Sequence, residues 1–76
     1  MESYRVAIIG LGGMGGHHAE AVQAEENCEL VGGAEIDAER GRVWSERFGV
    51  TSIFGDYEKL FNEVEPDIAL ISTQAP

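Results

Sequence analysis

The chain is short of basic residues, of cysteine and of long apolar runs, and each shortage closes off a class of protein. Five Lys+Arg stand against 14 Asp+Glu, a formal net charge of -9. Such a surface repels phosphate backbones and anionic lipid, which argues against nucleic-acid and membrane partners. The single cysteine, Cys28, excludes an internal disulfide and any cysteine-built metal site. It fits a reducing compartment, and the expected location is cytoplasmic. No run approaches the ~20 apolar residues of a membrane span. Residues 1–5 lead into only a short apolar run, unlike the long h-region of a signal peptide.

What is present is ordinary for a globular chain: 43% hydrophobic and 25% charged residues, too apolar for disorder. Seventy-six residues allow one small domain or part of a larger one. A chain of that size buries only roughly 60% of its unfolded surface, so its stability alone is marginal.

Two runs, Val6-Ala7-Ile8-Ile9 and Ile68-Ala69-Leu70-Ile71, are continuously apolar. That pattern predicts strands covered on both faces, as in a parallel sheet between helices. Residues 29–34 read as a weaker strand, since Gly32 and Gly33 contribute no side chain, and residues 52–54 as a short fourth. Helical patterns fill the gaps. Met14, His18, Ala21 and Val22 share one arc of a helix over 13–24. Gly41, Trp44, Ser45 and Phe48 share one on a second helix, with Gly49 placed to cap it. Asp56 is an N-cap for a third, on which Tyr57, Leu60, Phe61 and Val64 recur at helical spacing before Pro66 ends it. The order β-α-β-α-β-α-β argues for parallel strands with right-handed crossovers.

Gly10-Leu11-Gly12-Gly13-Met14-Gly15 matches G-x-G-x-x-G. The pattern alone is weak evidence; its place directly after a strand and at the start of a helix gives it weight. In a dinucleotide site, Gly10 permits the tight turn, Gly12 lets a pyrophosphate approach the backbone, and Gly15 lets helix and strand pack closely. The amides of Gly13 and Met14 then point from the helix N-terminus at the anion. Glu35 follows Gly15 by 20 residues at the end of the second strand, where an acid accepts hydrogen bonds from the ribose hydroxyls. Asp37 competes for that role but reads better as a helix cap. A carboxylate there favours NAD over NADP, whose 2′-phosphate it would repel.

Other residues read as structural. Adjacent His17 and His18 cannot converge on one ion, so no metal site is expected, and His18 reads as a packing histidine. Trp44 reads as core, Arg40 as a surface partner of helix acids, and Lys59 as part of an amphipathic helix. No catalytic residue is assigned.

Four segments resemble the N-terminal dinucleotide-binding domain of the glucose–fructose oxidoreductase / inositol dehydrogenase / rhizopine-catabolism (Gfo/Idh/MocA) family. They are V-A-I-I-G-L-G-G-M-G-G-H-H at 6–18, E-L-V-G-G-A-E-I-D-A-E-R at 29–40, E-R-F-G-V at 46–50 and D-I-A-L-I-S-T at 67–73. The resemblance implies an α/β fold: the first half of a Rossmann domain, a doubly wound parallel sheet of order 3-2-1-4 in three layers. It implies an NAD(P)-binding domain over residues 1–76, truncated after the fourth strand, with the substrate domain absent. Thr73 and Gln74 would lie beside the cofactor. The parent would be an oxidoreductase acting on the CH–OH group of a sugar or polyol, its catalytic lysine lying in a Glu-Lys-Pro segment beyond Pro76. Departures are Glu35 where the family usually has Asp, Gly32 and Gly33 in place of the usual Ala or Val, and Thr73-Gln74 in place of Thr-Pro. A rival reading is a non-catalytic nucleotide-binding module, or one that self-associates as a homo-oligomer through its exposed strand edge.

Overall fold

The computed structural model describes residues 2–72 of the chain. They alternate strand and helix: β1 (Tyr4–Ile9), α1 (Gly13–Ala24), β2 (Cys28–Ala34), α2 (Ala38–Phe48), β3 (Ile53–Phe54), α3 (Tyr57–Val64) and β4 (Ile68–Ile71). The four strands form one parallel sheet in the order β3-β2-β1-β4. The chain winds outward from β1 through β2 to β3, then crosses to the other side for β4. This is a Rossmann fold, and the winding reverses between β1 and β4.

Neighbouring residues of a strand point to opposite faces, so an unbroken apolar run can serve two cores. On one face Ile8 packs with Leu11, Ala19, Trp44 and Val50 beneath α1 and α2. On the other, Ala7 and Ala34 pack with Leu60 and Val64 of α3. β1 and β2 begin before their apolar runs because backbone pairing continues past them: Tyr4 N–H donates to the Asn27 carbonyl at 2.8 Å. Arg5 N–H likewise donates to the Asp67 carboxylate at 2.8 Å, tying β1 to the entry of β4.

The helix ends follow local chemistry. Asp37 accepts from Arg40 N–H at 3.0 Å and caps α2; Asp56 accepts from Glu58 N–H at 2.8 Å and caps α3. Gly49 closes α2 in the left-handed region, and Glu65 (φ 51°) closes α3 just before Pro66. Along α2, Arg42 bridges Glu39 and Glu46. Its hydrogen bond and charge hold the Glu39 carboxyl below the usual carboxylate range.

Three expectations are corrected. The buried ridge of α1 is Gly15, Ala19 and Val22, whereas Ala21 is exposed and His18 only half-buried. Small residues let α1 lie close to the sheet: a Cβ on Gly15 would fall 2.3 Å from the Gly10 carbonyl oxygen. On α3, Leu60 and Val64 are buried but Tyr57 and Phe61 are exposed, because only one of the two i, i+4 rows meets the sheet. On β4, Ile68 and Ile71 stay exposed, so its apolar run is not covered on both faces.

Candidate functional site

The turn after β1 is enclosed on both sides by its neighbours. Gly10 N–H donates to the Ala34 carbonyl at 2.8 Å, and Ser72 N–H donates to the Ile9 carbonyl at 2.7 Å. Gly10 itself has φ +89°, a conformation that side chains disfavour, and a Cβ there would meet the Ser72 carbonyl oxygen at 2.3 Å. A glycine is therefore required on two counts. The chain then enters α1 at Gly13 with Gly12 as its N-cap, and no acidic side chain stands in the first turn. The first N–H groups of any α-helix lack intrahelical acceptors, so those of Gly13 and Met14 stand at the positive end of the helix dipole. An anion is the natural complement.

Glu35 directly follows β2, its N–H extending the ladder to the Phe54 carbonyl at 2.9 Å. Its side chain is only 9% exposed. One carboxylate oxygen accepts from Leu11 N–H at 2.8 Å, and the other from Asp37 N–H at 3.0 Å. A charge taken so far out of water must be hydrogen-bonded, and here two backbone amides supply the bonds. The acid thereby joins the end of β2 to the middle of the glycine turn. Arg40, half-exposed, approaches it loosely, its Nη1 lying 3.7 Å from Glu35 Oε2. This corrects the expectation that Arg40 pairs with helix acids. Asp37 turns away to cap α2, as its position suggested.

A cavity of about 300 Å³ opens at the carboxyl ends of the strands, within the size range of small-molecule sites. Gly10, Gly12 and Glu35 line it, together with Ile36, Tyr57 and Ser72. The structure thus brings the turn and the acid to one space, at the place where open α/β sheets bind ligands. Thr73 and Gln74, also expected there, lie outside the described residues. Sequence reasoning missed Ser72 and Ile36 as parts of this wall and the Leu11 amide as a partner of Glu35, and placed Tyr57 only on the apolar arc of its helix. Ile36 is 92% exposed; in the sequence it shows only as an apolar residue between two acids, Glu35 and Asp37. Among the described residues no three His, Cys, Asp or Glu side chains gather to hold a metal, and no helix is long and apolar enough to cross a membrane.

The same architecture recurs in solved structures. An oxidoreductase from Agrobacterium radiobacter, in complex with NAD+, L-tartaric acid and magnesium, matches with a TM-score of 0.88 at 22% identity, over 95% of this chain and 21% of that one. Scyllo-inositol dehydrogenase from Lactobacillus casei, with bound NAD(H) and scyllo-inositol, matches with a TM-score of 0.85 at 19% identity, over 96% of this chain and 22% of its own. Myo-inositol 2-dehydrogenase from Lactobacillus plantarum matches with a TM-score of 0.85 at 26% identity, over 99% of this chain and 22% of its own. The chain thus spans about a fifth of the length of these structures. No curated protein sequence matches it. The family model described as the oxidoreductase family with an NAD-binding Rossmann fold, Gfo/Idh/MocA, matches residues 4–76. With nearly the whole chain matched, and the glycine turn, acid and cavity in the places such a fold requires, the chain belongs to the Gfo/Idh/MocA oxidoreductase family as an NAD-binding Rossmann domain.

Proposed function

We propose that residues 1–76 serve as the cofactor-binding portion of a dehydrogenase acting on the CH–OH group of a sugar, polyol or related compound. The observation that carries this reading is the Glu35 carboxylate, fixed beside the glycine turn and lining the same cavity. The helix N-terminus would hold the pyrophosphate and Glu35 the adenosine ribose, with Thr73 and Gln74 proposed to flank the cofactor on the β4 side. NAD supplies a hydride acceptor when bound; the chain's own residues bind and orient it. The chain is read as the first half of the Rossmann domain, with the catalytic groups and substrate domain elsewhere in a longer protein. The inositol dehydrogenases among the structural neighbours support the substrate class.

The coenzyme preference is NAD over NADP. Two unit charges ~5 Å apart at an effective dielectric constant of ~20 repel by about 3 kcal/mol. Arg40 offsets part of this, but its side chain is half-exposed and its contact with Glu35 is long. Repulsion wins. Calorimetric titration should show NAD binding at least tenfold tighter than NADP, with Glu35→Ser narrowing the gap. Equal affinities in the wild-type chain would overturn the assignment.

The 76-residue chain alone is expected to give no dehydrogenase turnover. Hydride transfer needs the reacting carbons held ~3–3.5 Å apart and a base for the hydroxyl proton. His18 lies on α1 and Lys59 on the exposed side of α3, both outside the cavity wall, so neither supplies that base. Assay with NAD and a panel of sugars and polyols checks this; substrate-dependent NADH formation abolished by Gly12→Val would contradict it. A second reading, a self-associating module, draws on the exposed Ile68 and Ile71 of β4.

A further inference from the structure

We infer that Tyr57 is the stacking residue for the adenine ring, a role that rests on the dinucleotide reading above. The argument is topological. The sheet order β3-β2-β1-β4 lays three strand ends side by side, about 4.8 Å apart. The end of β1 carries the glycine turn, the anion site. The end of β2 carries Glu35, the ribose acid. A dinucleotide joins phosphate, ribose and base in that covalent order, so the base arrives at the end of β3.

The residues found there suit a base. β3 ends at Phe54; Gly55 follows, Asp56 caps α3, and Tyr57 is the first helical residue. Gly55 and Tyr57 line the same cavity as Gly12 and Glu35. A Cβ on Gly55 would meet nothing within 4 Å, so the space beside it is open. Tyr57 is 53% exposed, and its ring is braced edge-on by Phe61 at 6.0 Å between centroids. An aromatic face held in place over open space, at the rim of a nucleotide cavity, offers the stacking surface that every base accepts. Ile36, from the end of β2, adds an exposed apolar side chain to the same cavity. Among the described residues no other aromatic side chain lines it.

The chain has two tyrosines, and they are at opposite ends of the sheet: Tyr4 opens β1, and Tyr57 stands at its carboxyl edge. Tyr4 is therefore an internal control. Proton NMR of the 76-residue chain titrated with NAD should move the Tyr57 ring signals by the ring current of a stacked base and leave those of Tyr4 in place. Tyr57→Ala should weaken NAD binding about tenfold, the scale of base–aromatic stacking, and Tyr57→Phe should stay within twofold because the ring and not the hydroxyl acts. Circular dichroism of both variants controls for folding. Saturating NAD with Tyr57 signals unmoved, or Tyr57→Ala within twofold of wild type, would overturn the stacking role while leaving the dinucleotide reading intact. Absence of NAD binding by the folded wild-type chain would overturn both.

Discussion

Gly10→Ala is expected to lower the melting temperature by at least about 8 °C, and by about 16–32 °C at the middle of the range of its costs. Two costs add. An alanine held at φ +89° is strained by about 1–3 kcal/mol. Its Cβ would also sit 2.3 Å from the Ser72 carbonyl oxygen, a backbone atom that cannot swing aside. Ser72 is bonded to Ile9, so relief requires β4 to move away from β1. Overpacking of this kind costs about 1–3 kcal/mol more. For a domain of this size total stability is about 4–11 kcal/mol, and the sum consumes much of it. Gly49→Ala separates the terms, since Gly49 also has positive φ but an added Cβ there meets nothing within 4 Å. Thermal melts followed by circular dichroism decide the matter. A Gly10→Ala melting temperature no lower than that of Gly49→Ala would show that the turn yields easily.

Gly12→Val should do the opposite: leave the fold and abolish NAD binding. Gly12 is extended (φ -75°, ψ -157°), a conformation any residue adopts, and it is the N-cap of α1 rather than part of its interior. It lines the cavity, however, and a branched side chain there occupies the space a pyrophosphate needs beside the helix N-terminus. Calorimetry should find affinity reduced at least thirtyfold with a native circular dichroism spectrum. Unchanged affinity would mean that the phosphates bind elsewhere. On the proposed reading, two glycines two residues apart divide the work, one serving the chain and the other the ligand.

The strands, the caps and this turn were legible in the sequence because their signals are local. Asp37, Gly49 and Asp56 each act within a few residues, and short apolar runs bounded by glycine or acid mark β1 and β4. The packing face of α1 was only partly legible: Val22 lies in the expected arc, but Gly15 and Ala19 score weakly as hydrophobic while permitting the closest approach. Tyr57 shares an apolar arc with Leu60, yet the arc is wider than the strip of helix that meets the sheet. The bond from Leu11 to Glu35 spans 24 residues, and no local pattern announces it. Glu35 stands out in the sequence as an acid at the right distance; that it braces the turn emerges only when β1 and β2 lie side by side.

That bracing changes how the site meets its ligand. A carboxylate tethered at both oxygens has already surrendered its rotamer freedom when the chain folds. A free glutamate would lose up to about 1.5–2 kcal/mol of that freedom on being fixed by a ligand. With Glu35 as the proposed ribose acid, the receptor is rigid beforehand, so the ordering cost of association would fall on the flexible cofactor rather than on the protein. The same tether makes the receptor unforgiving. A ligand that needs the acid elsewhere must first break a bond between strand and turn, so selectivity is written into the backbone as much as into the side chain.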